Sequence, residues 1–142
     1  MANFIGVARD FSVAPQISAE DFAAAAARGV RTVINNRPDG EAPDQLTDAQ
    51  ARAAAEAAGL TYRAIPVTMP IAVSAVDAFA AALRDTPGPH LAYCRSGTRS
   101  ITLWALAQAK GGADPDELIR TAAAAGYALG PMRSVLAGLR AG

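Results

Sequence analysis

The chain has 142 residues, 51% hydrophobic and 18% charged. These proportions belong to a globular protein, and the length suits one domain over 1–142 with a sizeable core. Thirteen basic residues balance thirteen acidic ones, so no charge excess recommends a nucleic-acid or membrane-surface partner.

In chain order, Met1–Asp10 lacks the basic opening and apolar run of a secretory signal. No stretch approaches the roughly 20 apolar residues of a membrane-crossing helix. The single cysteine cannot form an internal disulfide, and a free reactive thiol survives best in a reducing compartment. The expected location is cytoplasmic. Phe11–Gln16 reads as a short edge strand, because Pro15 has no N–H for a central ladder. Ser18 caps a helix with acids in its first turn, running to about Arg28 before Gly29. Val30–Asn35 is a β-branched strand suited to a buried parallel position.

A loop with two prolines and a glycine, Asn36–Pro43, follows that strand. Thr47 and Gln50 form a capping-box pattern for a helix to Ala58. Leu60–Val67 is the next strand, and Ser74 is placed to cap a helix through Arg84, with Val76, Phe79, Ala80 and Leu83 at helical spacing. After Gly88-Pro89 comes a strand ending near Cys94, then a polar loop, then the apolar helical stretch Ile101–Ala107. Asp114-Pro115 opens another helix to Gly126, and Met132–Leu139 forms a last one. The alanine runs lie inside these capped patterns and are helix faces, alanine having the best helix propensity. Strands alternating with helices imply an α/β fold: a mainly parallel sheet of four to five strands flanked by helices, with right-handed crossovers. Ligands of such sheets bind beyond the carboxyl ends of the strands.

The chemistry concentrates in Cys94-Arg95-Ser96-Gly97-Thr98-Arg99-Ser100, inside a strand-loop-helix unit at 91–110. Loop N–H groups and the positive end of the helix converge there on an anion site. With Arg95 and Arg99 nearby, Cys94 is favoured as the reactive thiolate and is a nucleophile candidate; the bland reading of a lone cysteine is a buried, inert one. Arg99 is the candidate anion clamp, its planar fork binding two oxygens, or else a solvated residue at a helix start. Arg95, Ser96, Gly97 and Thr98 would line the cradle chiefly through N–H groups, with Gly97 permitting a backbone shape a side chain would obstruct. Arg95 either meets an anionic substrate or faces water. His90, about 13 Å along an extended chain from Cys94, receives no catalytic role. No metal-ligating cluster is evident, so no metal or other cofactor is expected.

Cys94–Ser100 resembles the active-site loop of single-domain rhodaneses, in which four residues separate cysteine from arginine. It is also similar to a phosphatase loop shortened by one residue. Arg31–Glu41 and Tyr62–Val67 resemble the bacterial beta-lactamase-hydrolase-like family, whose domain has a dual-specificity-phosphatase fold, and this resemblance covers nearly the whole chain. It implies a protein-tyrosine-phosphatase-like architecture and places Asn36, Arg37 and Asp39 near the active site. Arg37 would help attract an anion and Asp39 would orient Arg37 or Arg99; a simple Asx-type turn around Pro38-Asp39-Gly40 is equally consistent. By likeness to phosphatases, Ser100 would donate a hydrogen bond to the thiolate, with helix capping a second, compatible role.

Two departures from the phosphatase pattern matter. Tyr93, and not histidine, precedes Cys94, and the loop Thr68–Val73 holds no acid to protonate an alkoxide leaving group; Asp77 lies a turn into the next helix. Sulfite or a thiolate leaves from sulfur without a donated proton. The expectation is therefore a cysteine-dependent sulfurtransferase passing sulfane sulfur through a Cys94 persulfide, from a small anionic sulfur donor to a thiol acceptor. The alternatives are a phosphatase that takes phosphate esters through a phosphocysteine, and a non-catalytic anion-binding module. The family resemblance further implies a fused or partner persulfide dioxygenase. Asp39, Asp44 and Asp77 are the acids whose reach toward the site remains to be placed.

Overall fold

The computed structural model describes residues 3–142. Five strands, β1 (Ile5–Ala8), β2 (Phe11–Ala14), β3 (Thr32–Asn35), β4 (Thr61–Ala64) and β5 (His90–Tyr93), form one sheet in the order β1-β2-β5-β3-β4. Only the β1–β2 pair is antiparallel. The helices are α1 (Ala19–Ala27), α2 (Asp48–Ala57), α3 (Val73–Asp85), α4 (Thr98–Lys110), α5 (Pro115–Ala124) and α6 (Arg133–Ala141), the last preceded by a 3-10 turn at Gly130–Met132.

Successive strand residues face opposite sides, so the sheet divides two apolar cores. Val33, Leu91 and Tyr93 pack with Phe22, Ala51 and Ala55 of α1 and α2. Ile34 and Ala92 pack on the other side with Phe79, Leu103, Leu118 and Leu136 from α3 to α6. On that side Phe11 stacks on Trp104 at 5.7 Å between ring centroids and meets Phe79 edge-on at 5.9 Å. Strand β5 has parallel neighbours on both sides and is buried at every position. Helices α1 and α2 lie on one face, while α3, which leads into β5, and α4, which leaves it, lie on the other. The loop after β5 thus emerges at the carboxyl end of a central parallel strand, beyond which ligands of open α/β sheets bind.

Several local expectations are corrected. Phe11–Ala14 is an interior strand between β1 and β5, with Pro15 one residue past its ladder; the edge is β1. Strand β3 begins at Thr32, and β4 stops at Ala64, although the Ile65 and Val67 N–H groups still reach the Asn35 and Asn36 carbonyls around Pro66. Ala72, not Ser74, is the N-cap of α3. The Ser18–Asp21 and Thr47–Gln50 capping boxes are both formed. His90 is the first residue of β5, buried, with Nε2 2.9 Å from Thr86 Oγ1, at the opposite end of the strand from Cys94. Burial lowers its pKa from the usual histidine value.

Candidate active site

Cys94 follows β5 directly and is fully buried. The chain then reverses through Gly97, the N-cap of α4, at φ +93°, a left-handed conformation that favours glycine. This turn brings the Gly97 N–H to 3.1 Å from Cys94 Sγ. The Thr98 N–H is directed instead to Ser96 Oγ at 3.4 Å, while Ser96 Oγ donates to Thr98 Oγ1 at 3.0 Å. Of the expected cradle, Gly97 supplies the N–H that meets the sulfur. Arg95, Ser96 and Thr98 lie exposed on the rim.

Arg99 does not hold its fork free. Its Nη1 and Nη2 bond the two carboxylate oxygens of Glu41 at 2.8 and 2.7 Å, and Nη1 also donates to the Val67 carbonyl at 2.9 Å. A guanidinium has five N–H donors, so the Nε hydrogen and one Nη2 hydrogen remain, both on its side edge, and Cys94 is the titratable neighbour that the guanidinium meets besides Glu41. That edge still offers two-oxygen binding, in a different geometry from the end-on fork expected. Glu41 first, and Cys94 more weakly, raise the pKa of Arg99. Glu41 also accepts from Arg37 Nε at 3.0 Å. The Arg99 hydrogen bond, with lesser help from Arg37, holds the Glu41 carboxyl at about 2, against an ordinary 4.5.

The remaining candidates are mostly committed to structure. Arg37 is buried and donates to Gln16 Oε1 at 3.1 Å as well as to Glu41, so it reaches the site through Glu41 and does not offer a free cation. Asn36 is buried: its Nδ2 donates to the Ile65 carbonyl and its Oδ1 accepts from Ser100 Oγ at 2.8 Å. Ser100 is therefore neither the helix cap nor turned to the thiol; its hydroxyl ties α4 to the end of β3. Asp39 orients neither arginine, because its Oδ1 accepts the Asp48 N–H at 2.7 Å at the start of α2. Asp77 pairs with Lys110. The Asx turn found here stands earlier than the one expected around Pro38-Asp39-Gly40: Asn35 Oδ1 accepts from the Arg37 N–H at 2.9 Å.

Two further residues shape this site and were not singled out from sequence. One is Glu41, 58 positions from its partner. The other is Tyr127, whose hydroxyl donates to the Ser96 carbonyl at 2.8 Å. Among the described residues no group of three or more His, Cys, Asp or Glu is placed to hold a metal, and no helix is long and apolar enough to cross a membrane.

Residues 3–113 match the family of the beta-lactamase hydrolase-like protein, phosphatase-like domain. The chain belongs to this family. Beta-lactamase hydrolase-like proteins of Agrobacterium fabrum and Xylella fastidiosa are 40% and 38% identical to it over 102 and 121 residues. Those matches span 71% and 84% of this chain but 24% and 28% of the relatives, so it corresponds to about a quarter of their length. A provisionally named phosphatase from Neisseria meningitidis has the same architecture at TM-score 0.85 and 36% identity, covering 96% of this chain and 97% of that one. A second provisionally named phosphatase, from Shewanella putrefaciens, follows at TM-score 0.76, 25% identity and coverage of 97% and 91%. Kinase-associated phosphatase, at 10% identity and TM-score 0.75 over 99% of this chain and 94% of its own, shares the fold alone. A phosphatase fold was expected from the loop and the flanking strands, and it is the fold found. The description of the matched family and the names of the similar solved structures speak of phosphatases and not of sulfur transfer, so they favour the phosphatase alternative over the sulfurtransferase expectation.

Proposed function

We propose that this beta-lactamase-hydrolase-like domain is a Cys94-dependent sulfurtransferase. One observation carries the reading: the carboxylate that reaches Arg99 is Glu41, and both of its oxygens accept from arginines, Oε1 from Arg99 and Arg37 and Oε2 from Arg99, so it serves as their counter-charge and not as a proton donor to a leaving group. Asp39 and Asp77 are engaged elsewhere, and Asp44 lies exposed in the turn before α2. Chemistry at this cysteine is therefore suited to leaving groups that depart as stable anions. The Cys94 thiolate attacks the outer sulfur of thiosulfate; the S–S bond breaks and sulfite leaves with its electron pair. The Gly97 N–H and the free edge of Arg99 stabilise the anionic sulfur and oxygens. An acceptor thiolate then attacks the outer sulfur of the Cys94 persulfide, becomes a persulfide itself, and returns Cys94 as thiolate.

The phosphatase reading stands second and is favoured by the comparisons, since the matched family and the similar solved proteins bear phosphatase names. There Cys94 would form a phosphocysteine that water hydrolyses. One set of assays divides the readings. Exposure to thiosulfate should add the mass of one sulfur atom to the protein, and not to Cys94→Ser. Aryl phosphates should be hydrolysed slowly, and alkyl phosphates, with poorer leaving groups, more slowly still. Brisk alkyl-phosphate hydrolysis without a persulfide would reverse the assignment. Anion binding that survives Cys94→Ser, with neither activity in the parent, would leave an anion-binding module. A persulfide-oxidising partner, on a separate or continuous chain, would supply or consume the transferred sulfur.

A further inference from the structure

We infer that Tyr127 is a positioning residue for Cys94, holding the Ser96–Gly97 peptide so that its N–H addresses the sulfur. This rests on Cys94 being the nucleophile proposed above. The C=O and N–H of one trans peptide unit point to opposite sides, and in this unit both are engaged. On the outer side the Tyr127 hydroxyl donates to the Ser96 carbonyl at 2.8 Å; on the inner side the Gly97 N–H donates to Cys94 Sγ at 3.1 Å. Glycine at φ +93° does little to fix the orientation of its own peptide, because it lacks the Cβ that would exclude other conformations. The tyrosine supplies that constraint from outside.

Its approach is close. A Cβ built on Gly97 would lie 2.2 Å from Tyr127 Oη, so the tyrosine occupies the space over the loop that a side chain at 97 would need. The ring is mounted on the core: it packs against the α3–α6 cluster, and its backbone N–H donates to the Ala122 carbonyl at 2.9 Å just past α5. Burial, then the charge of Cys94, raises the pKa of Tyr127 above the ordinary tyrosine value, so the hydroxyl keeps its proton and donates at neutral pH. A bond donated to a carbonyl also polarises the amide and strengthens its N–H as a donor. Tyr127 thus acts on the nucleophile through one peptide plane, without touching the transferred group.

Tyr127→Phe keeps the ring and removes only the hydroxyl. Sulfur loading of Cys94 from thiosulfate is followed by intact mass across thiosulfate concentrations, alongside iodoacetamide alkylation and thermal unfolding. The maximal loading rate and the alkylation rate should each fall about 3- to 10-fold, the weight of one net hydrogen bond. The half-saturating thiosulfate concentration should stay within about twofold, because the free edge of Arg99 is intact. Wild-type rates in the variant, or a change confined to half-saturation, would overturn the proposal. If the wild-type protein takes up no sulfur, the sulfurtransferase reading fails while the alkylation comparison still decides the role of Tyr127.

Discussion

Replacing Glu41 with glutamine tests the electrostatic frame of the site, because it removes one charge while keeping nearly the same shape. Glu41 bonds Arg99 at 2.7 and 2.8 Å and Arg37 at 3.0 Å, so the variant leaves two guanidinium groups facing each other without a counter-charge. The drop of its carboxyl from 4.5 to about 2 corresponds to about 3 kcal/mol at 1.36 kcal/mol per pH unit. The Glu41 side chain retains 28% exposure, and water screens much of that, leaving about 1–2 kcal/mol. The sign follows from the direction of the shift. A carboxyl depressed in the folded state contributes its stability above the ordinary value near 4.5, and loses it as pH falls from there toward 2. Urea unfolding followed through Trp104, the only tryptophan and a buried one, should place Glu41→Gln about 1–2 kcal/mol below wild type at pH 7. The gap should shrink by more than half at pH 3 and almost vanish near pH 2. A gap that does not change with pH would show that Glu41 acts through packing, and the charge argument would be wrong.

Arg99→Lys keeps the charge but loses both planar edges, so isothermal titration with thiosulfate or inorganic phosphate should show affinity down about tenfold or more; unchanged affinity would take Arg99 out of the anion site. Asn36→Leu strips Ser100 Oγ and the Ile65 carbonyl of their partner in a buried place and should lower stability by about 2–4 kcal/mol in urea, a loss below about 1 kcal/mol contradicting its bridging role. Tyr93→Phe removes a buried hydroxyl with no partner at hydrogen-bonding geometry among the described residues, Tyr62 being its polar neighbour; the unfolding free energy should hold or rise, and a loss of more than about 1 kcal/mol would mean the hydroxyl is satisfied.

The helices were legible because their ends carry local chemistry. Ser18 with Asp21, Thr47 with Gln50, and Asp114 before Pro115 mark starts that need no knowledge of the rest of the fold. Strand positions obeyed longer-range rules. Pro15 suggested an edge, yet β2 is interior, because the proline falls one residue beyond the ladder and Ala14 is its last paired residue. Strand β1 escaped notice: four residues containing a glycine, half-exposed in alternation, gain strand character only by pairing with β2. Ser74 looked like a cap by composition, but α3 begins at Val73, before it.

The site divides along the same line. Cys94, Gly97 and Arg99 could be read because one strand-loop-helix connection carries them, and the tight turn requires glycine where glycine stands. What the contiguous motif lacks is direction. Arg99 has two usable edges, and Glu41, 58 residues away, occupies the end-on one, so that the side edge is left for an anion. The Ser96–Gly97 peptide has two faces, and Tyr127, 31 residues beyond Ser96, binds the outer one, so that the N–H faces the sulfur. In the stretch that carried the family resemblance Glu41 was visible as an acid, and a count of charges around Arg37 and Arg99 would have asked for a carboxylate there. Tyr127 left no such signal, since a tyrosine after a helix is ordinary and its target is a backbone carbonyl. The cysteine loop therefore names the reacting groups, while two remote side chains aim them. Grafting Cys94–Ser100 onto another strand-loop-helix would reproduce the motif without the orientation that makes it a site.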